Sequence, residues 1–178
     1  NYLEKKYKNV QVILSEQNLG NGGGINLGLK NVKTKYAFYL DADTELQANT
    51  INELLTAAKQ IEEFTILAPI VKKYDYKKED YLIFDQIAGK KFIPMKFVPG
   101  CALFFNIAEL SKIGFYDENF FLFYEEYDIF MRCIKNSHNI YMIKDALITH
   151  TGKTSVDEKY HEEVELIRNW HYMWSKFY

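Results

Sequence analysis

Cysteine, long apolar runs and clustered positive charge are all scarce in this 178-residue chain. Its two cysteines, Cys101 and Cys133, are too far apart for the ligand spacing of a zinc site. Isolated cysteines are typical of a reducing compartment, where they are buried as small hydrophobic groups. No apolar run reaches the roughly 20 residues that span a bilayer, and no signal peptide is recognisable. We therefore expect a soluble, cytoplasmic protein.

The charge and composition also indicate which partners and how many domains to expect. The net charge is −2 and no block of Lys or Arg stands out, so we expect no nucleic-acid partner. Apolar residues make up 48% of the chain, which suits one domain with a sizeable core. Aromatic residues reach 16%, and a thick core explains them better than ring-stacking surfaces do. We predict a single domain over residues 1–178.

The familiar phosphate-binding motifs are missing too. Residues 15–24 hold four of the nine glycines, between a strand predicted at 9–14 and a short helix predicted at 25–30. These glycines form neither a Walker loop nor Gly-x-Gly-x-x-Gly. A glycine-rich loop before a helix can still bring backbone N–H groups close to a phosphate or a sugar. A merely flexible loop is the alternative.

The most informative stretch is an apolar run that ends in two acids. Residues 36–40 are aromatic or aliphatic, which predicts a buried central strand, and Asp41 and Asp43 follow it. Buried carboxylates are costly unless a cation meets them, and open α/β sheets bind ligands at the carboxyl ends of their strands. A hard divalent ion that also contacts a substrate's phosphates fits this pattern. A polar turn with Asp as a helix cap is the alternative.

Helix and strand patterns alternate through the rest of the chain. Capping patterns at Thr50–Glu53 and Asn106–Glu109 mark two predicted helix starts. Residues 72–96 match no period, and we interpret them as a variable excursion near the mouth of the site. The helices predicted from apolar spacing are 50–62, 107–113 with Gly114 as its C-terminal cap, and 156–178; the predicted strands are 65–71, with Pro69 at an edge or an irregularity, 139–143 and 146–150.

An acidic cluster begins another predicted helix. Glu125, Glu126 and Asp128 follow five apolar residues, and helical spacing places Glu125, Asp128 and Arg132 on one face. Acids in a first turn interact favourably with the helix dipole, which is the structural explanation. Three acids in four residues are more than a helix cap needs, so a functional role for this cluster is the alternative to the structural explanation.

A histidine ends the last predicted strand. His150 closes the run at 146–150 and precedes a Gly/Ser/Thr loop at 151–155. A lone histidine is usually structural, but a position just beyond a strand also suits a metal ligand.

Taken in order, these motifs resemble the family 2 glycosyltransferases with a GT-A fold, in particular the bacterial rhamnosyltransferase-like branch. The resemblance extends from about residue 9 to residue 170. The motifs that carry it are Asn18-Leu-Gly20 with Gly24 and Asn26, Leu40-Asp-Ala-Asp43, Pro99-Gly100, Ile113 to Phe121, Glu125-Glu-Tyr-Asp128 with Arg132, His150 with Ser155, and Arg168-Asn169.

The resemblance implies a fold, a reaction and a set of roles. The fold would be the Rossmann-like GT-A type, an α/β mixed sheet flanked by helices. The reaction would move a sugar from a nucleotide-sugar donor to a glycan or lipid-linked acceptor with inversion at the anomeric carbon, assisted by Mg²⁺ or Mn²⁺. The residues that match the metal site are Asp41, Asp43 and His150; those that match the catalytic base segment are Glu126, Asp128 and Glu125; those expected to bind substrate are Asn18, Gly20, Gly24, Asn26, Gly100 and Arg132.

Two departures from the family pattern keep alternatives open. Glu125-Glu126 stands where the family usually has Glu-Asp, so the base could be any of the three acids of this segment. Nothing before Asn9 matches the family's first strands, which bind the nucleoside, so we expect the fold to be incomplete at the N-terminus and donor binding to be weak. The alternative function is therefore a non-catalytic remnant that binds a sugar or a partner chain.

Further alternatives concern partners and location. A nucleotidyltransferase would share the carboxylate and metal chemistry, but its Gly-rich, basic phosphate loop is missing from the start of this sequence. Peripheral contact with the inner face of the membrane and a homo-oligomeric state both stay open.

Overall fold

The computed structural model describes residues 2–72, 74, 76–82, 88–151 and 159–177. Within these residues the helices are α1 (Tyr2–Lys6), α2 (Gly20–Leu29), α3 (Thr50–Gln60), α4 (Ile107–Ile113), α5 (Glu125–Lys135) and α6 (Lys159–Phe177). The strands are β1 (Tyr36–Leu40), β2 (Thr44–Leu46), β3 (Ile66–Val71), β4 (Phe92–Met95), β5 (Ala102–Asn106) and β6 (Ile140–His150). None of the described helices is both long enough and apolar enough to span a bilayer.

One mixed sheet organises these elements. Its strands lie in the order β1-β5-β3-β6-β2, and β4 also pairs with β6. The β3–β6 pair is parallel, whereas the other pairs are antiparallel. Helix α3 covers one face of the sheet, and α2, α4 and α5 cover the other. The predicted α/β architecture, a mixed sheet flanked by helices, is confirmed.

Strand β6 joins two segments that the sequence predicts separately, 139–143 and 146–150. Its register against β3 shifts between Pro69 and Ile70, whose partners are Ile143 and Leu147. The irregularity predicted at Pro69 is confirmed, although β3 lies inside the sheet rather than at its edge. The first half of β6 pairs with β4, and the second half pairs with β2.

The N-terminal predictions need correction. Residues 9–14 form no strand, and the side chains of Val10 and Leu14 are 43% and 81% exposed. An isolated strand without a ladder partner is unstable in water, which explains the irregular structure. The glycine-rich segment is not a loop throughout, because α2 begins at Gly20 and includes the next three glycines.

The position of β1 also differs from the expectation. Among the described residues β1 pairs only with β5, so it lies at the edge of the sheet instead of the centre, and its five residues are only partly buried. A cleft of about 510 Å³ runs between α2 and β1, and its walls include Gly24, Gly28 and Ala37.

Both predicted capping boxes are wrong, although both helices form. The Thr50 hydroxyl is 2.5 Å from the Leu147 carbonyl oxygen, to which it donates, and it accepts a hydrogen bond from the Gln47 amide. The Asn106 side chain makes no capping hydrogen bond. Helix α4 nevertheless has the predicted bounds, and Gly114 ends it with a φ of +85°, which favours glycine. Packing of the apolar faces outweighs local capping here.

The excursion at 72–96 is partly integrated into the sheet. Strand β4 pairs antiparallel with β6, so this end of the excursion belongs to the core architecture. Residues 73, 75 and 83–87 of the excursion lie outside the described residues.

Helix α3 offers a direct test of the packing. Leu54 is fully buried against the sheet, whereas its neighbour Leu55 is 38% exposed. We expect Leu54→Ala to lower the free energy of unfolding by about 2–5 kcal/mol, because it removes buried methyl groups and leaves a cavity. The matched control, Leu55→Ala, should cost less than about 1 kcal/mol. Equal losses for the two variants in denaturant titrations would contradict the orientation of α3.

Candidate active site

Three potential metal ligands meet where β1 and β6 end and β2 begins. Thr44 is the register partner of His150, so the antiparallel β2–β6 pair brings Asp43 next to that histidine. His150 Nε2 lies 3.1 Å from Asp43 Oδ1, and one ligand atom each from Asp41, Asp43 and His150 lie within 4.8 Å of one another. The predicted proximity of these three residues is confirmed. The neighbouring loop residues 152–155 lie outside the described residues.

The surroundings of Asp41 disfavour the ionised form of its carboxyl group. Burial is the largest effect and raises its pKa, the hydrogen bond from Tyr39 lowers it, and the nearby negative charge of Asp43 raises it again. Burial also raises the pKa of Tyr39, which therefore stays a neutral hydroxyl and donates to Asp41 Oδ1. A partly buried carboxyl group with a raised pKa is one that a cation would stabilise.

The donor set fits a divalent cation. Two carboxylates and one imidazole nitrogen are ligands that Mn²⁺ accepts, and carboxylates with phosphate oxygens also suit Mg²⁺. Asp41, Asp43 and His150 are each partly exposed, so a cation and a bound substrate could both reach them.

The acidic pair of α5 lies close to this triad. The turn at Gly100 connects the two: an added Cβ there would come within 3.0–3.1 Å of the Glu126 side chain, and the next residue, Cys101, accepts a hydrogen bond of 2.9 Å from the Asp41 amide. A side chain at position 100 would therefore press against Glu126, which would have to shift by a few tenths of an ångström. Its predicted contact with substrate stays a prediction.

Burial and mutual repulsion tune the acidic pair. Burial, followed by the charge of Glu125, raises the pKa of Glu126 to about 7. Burial also raises the pKa of Glu125, although a hydrogen bond from Asn21 opposes the rise. A carboxylate with a pKa near 7 is suited to accept a proton at neutral pH.

An unusual backbone turn orients the start of α5. Phe123 and Tyr124 both have a left-handed conformation, with φ values of +67° and +69°. The buried amide of Asn169, on α6, donates to the carbonyls of Leu122 at 2.6 Å and of Phe123 at 2.9 Å. Strained backbone of this kind persists where surrounding structure holds it, and it is concentrated at functional sites.

Asp128 lies in a different environment from the other acids of its helix. Its side chain is fully buried and lies 2.7 Å from Arg132 Nη2 and 2.7 Å from Lys176 Nζ. Arg132 also donates to three main-chain carbonyls of residues 113–115. These contacts tie α4, α5 and α6 together, so the geometry describes Asp128 and Arg132 as structural partners. Their predicted roles in catalysis and substrate binding stay predictions.

The remaining predicted substrate residues lie on or before α2. The Asn18 side chain accepts a hydrogen bond from the Gly20 amide. Gly20 has a φ of +71°, and an added Cβ there would collide with the Phe121 carbonyl. Asn26 is buried and holds the main chain of Tyr116 through both ends of its amide. Gly24 lines the cleft between α2 and β1. Contact with substrate stays a prediction for all four.

Sequence reasoning did not find Asn21, Tyr39 and Lys176. The spacing of Tyr39 and Asp41 carries a usable signal, because alternate residues of a strand lie on the same face. No comparable signal marks Asn21 or Lys176, which contact residues 104 and 48 positions away in the chain, Glu125 and Asp128.

Comparison with known structures identifies the class of fold. The chain resembles the crystal structure of GalNAc-T7 with UDP, GalNAc and Mn²⁺, with a TM-score of 0.63 at 13% sequence identity. The match covers 76% of this chain and 31% of the GalNAc-T7 chain, so this chain spans less than a third of that protein. The fold is therefore that of a GT-A glycosyltransferase.

The family follows from the sequence itself. The sequence model of glycosyl transferase family 2 matches residues 1–133, which is most of the chain, and the protein belongs to this family. No curated protein sequence matches the chain significantly. The bacterial rhamnosyltransferase-like branch stays a prediction.

The metal triad can be tested by itself. We expect His150→Ala and Asp43→Asn each to weaken Mn²⁺ binding at least about tenfold, because even residues that only support metal ligands typically contribute that much. The matched control is His138→Ala, since His138 lies just before β6, at the end of that strand opposite His150, with its Nδ1 2.7 Å from the Thr65 hydroxyl. Calorimetric titration with MnCl₂ measures all three. Wild-type affinity in both ligand variants would contradict the site.

Proposed function

We propose that this protein is an inverting, metal-dependent glycosyltransferase that moves a sugar from a nucleotide-sugar donor to a hydroxyl group of a glycan or lipid-linked acceptor. The observation that carries the proposal is the proximity of two chemically different acidic groups, one on either side of the turn at Gly100. Asp41, Asp43 and His150 form a cation site, whereas Glu125 and Glu126 form a site that can accept a proton. Family membership and the UDP and Mn²⁺ named for GalNAc-T7 support a nucleotide-sugar donor.

The first site serves the leaving group. When bound, Mg²⁺ or Mn²⁺ would neutralise the negative charge that develops on the nucleoside diphosphate as its bond to the anomeric carbon breaks. Asp41 and Asp43 would hold the cation through carboxylate oxygens, and His150 would complete the set through Nε2. The Tyr39 hydroxyl keeps Asp41 oriented toward this position.

The second site serves the acceptor. Glu126 accepts the proton of the acceptor hydroxyl while that oxygen forms its bond to the anomeric carbon, so the proton ends on the carboxyl group. Its raised pKa, about 7, matches this task at neutral pH. Attack from the side opposite the leaving group inverts the anomeric configuration. Synthesis of a cell-surface polysaccharide or glycan, as in the rhamnosyltransferase-like branch, is the biological setting that we propose.

A donor panel tests the reaction. We expect release of nucleoside diphosphate from one member of a set of UDP-, GDP- and dTDP-sugars in the presence of Mn²⁺ and a sugar acceptor, and its loss with EDTA. NMR of the glycoside should show the anomeric configuration opposite to that of the donor. Mn²⁺ binding without turnover of any donor would favour the non-catalytic remnant instead. A product with retained configuration would contradict the inverting mechanism.

A pair of charge-neutral substitutions tests the division of roles in α5. Glu126→Gln should lower turnover by about 10²–10⁴-fold with little change in donor affinity, because Gln keeps the shape but accepts no proton. In the wild type, turnover should fall as the pH drops below about 7, since Glu126 is then protonated. This acidic limb should be absent from the residual activity of the variant.

Asp128→Asn is the matched comparison. It should lower the free energy of unfolding by about 3–5 kcal/mol, because it removes the counter-charge of Arg132 and one of the two carboxylates that Lys176 contacts, the other being Asp117. Thermal melts beside the kinetics separate stability from turnover. If Glu126→Gln is nearly as active as the wild type while Asp128→Asn is folded and inactive, Asp128 is the base.

A further inference from the structure

A chain of polar side chains connects the two acidic sites. The Tyr39 hydroxyl contacts Asp41 Oδ1 and lies 3.3 Å from Asn21 Oδ1. The other end of the Asn21 side chain, Nδ2, donates a hydrogen bond to Glu125 Oε1. Two residues therefore bridge the space between a metal ligand and the acid next to Glu126.

The two bridging residues are held in place from several directions. Tyr39 lies on β1, and Asp41 directly follows the last residue of that strand, where its carboxylate accepts the hydrogen bond from the Tyr39 hydroxyl. The main-chain amide of Asn21 donates to the Phe121 carbonyl at 2.8 Å. At the preceding residue, the absence of a Cβ in Gly20 allows the close approach of α2 to that carbonyl. The start of α2 is thus fixed against the segment that leads into α5.

Glu125 depends on this bridge. Its side chain is 3% exposed, and Asn21 supplies its one side-chain hydrogen bond among the described residues. Its second oxygen, Oε2, is buried without a hydrogen-bond partner in the same part of the chain. Because a buried carboxylate is poorly stabilised with so few donors, loss of the Asn21 amide would free Glu125 to move and would displace the adjacent Glu126.

We propose that Asn21 and Tyr39 are positioning residues, which fix the start of α5, and with it Glu126, relative to the metal ligands that follow β1. The proposal rests on the proposed function in that the two ends are the leaving-group site and the base. Transfer requires both ends at once, since the acceptor attacks on the side opposite the departing diphosphate. A misplacement of about 1 Å between such groups can cost about 10²-fold in rate.

Mn²⁺ binding to the protein alone is the first test. Tyr39→Phe should weaken Mn²⁺ binding about tenfold, because partners that orient a ligand typically contribute this much. Asn21→Leu, which has a similar size but no amide, should weaken it by at least about twofold through the bridge. The double variant should bind as Tyr39→Phe does, since residues of one network are not additive.

Matched controls come from the same elements. Tyr36→Phe removes a hydroxyl from the opposite face of β1, where it lies 3.4 Å from the Ala58 carbonyl. Asn31 lies just after the end of α2, and Asn31→Leu removes a side-chain amide that donates to the Leu27 carbonyl. Both should bind Mn²⁺ as the wild type does. Control-like affinity in Tyr39→Phe and Asn21→Leu, multiplicative effects in the double variant, or no Mn²⁺ binding by the wild type would each overturn the proposal.

Steady-state kinetics with the donor found in the UDP-, GDP- and dTDP-sugar panel form the second test. Asn21→Leu should lower kcat about 10–100-fold with the donor KM within about threefold, and Asn21→Gln, which retains an amide, should recover part of the loss. Parallel changes in kcat and KM, or no recovery by Gln, would contradict a positioning role. If the wild type binds Mn²⁺ but turns over no donor, the proposed function fails, and the Mn²⁺ titrations still decide the roles of Tyr39 and Asn21.

Discussion

Repulsion between carboxylates governs how the acids of the candidate site are arranged. Two unit charges 4 Å apart interact by about 4 kcal/mol at the effective dielectric of a protein surface, so acids this close need compensation. Asp128 has it, because Arg132 and Lys176 supply two cations at 2.7 Å. Among the described residues Asp41, Glu125 and Glu126 have no Lys or Arg partner in contact, and all three have raised pKa values. Of these four acids, the fold therefore supplies counter-charges only to Asp128. Asp41, Glu125 and Glu126 would be stabilised by a bound cation or by a proton.

The uncompensated acids are held apart from one another by backbone and amide groups. The Gly100 turn lies between the metal ligands and Glu126, and its missing side chain sets how closely they approach. The left-handed backbone at residues 123 and 124 sets the direction in which α5 begins. Asn169, on α6, holds this turn through hydrogen bonds to the carbonyls of residues 122 and 123. Helix α6 thus supports the site indirectly: Asn169 holds the turn at residues 122 and 123, and Lys176 pairs with Asp128. This arrangement explains how weakly stabilised acids stay in fixed positions.

The sequence predicts the parts of this arrangement that are local. The apolar run 36–40 predicts β1, the spacing of apolar residues predicts α4 at 107–113, and the order of the motifs predicts the GT-A fold; all three are confirmed. Local patterns do not predict features that depend on contacts distant in sequence. These features are the edge position of β1, the register shift of β6 against β3, and the hydrogen bond from the Thr50 hydroxyl to the Leu147 carbonyl. The same holds for the contact of Asn21 with Glu125, which are 104 residues apart.

We propose a cation at Asp41, Asp43 and His150 and, close to it, a proton acceptor at Glu126. Anomalous diffraction at the manganese edge, from crystals soaked with MnCl₂ and UDP, tests it most directly. We expect a single strong peak bonded to Asp41, Asp43 or His150 at about 2.0–2.3 Å, with the diphosphate on the same ion and no manganese bond to Glu126. Manganese bound at Glu125 and Glu126 instead, or a triad without a peak, would contradict the claim.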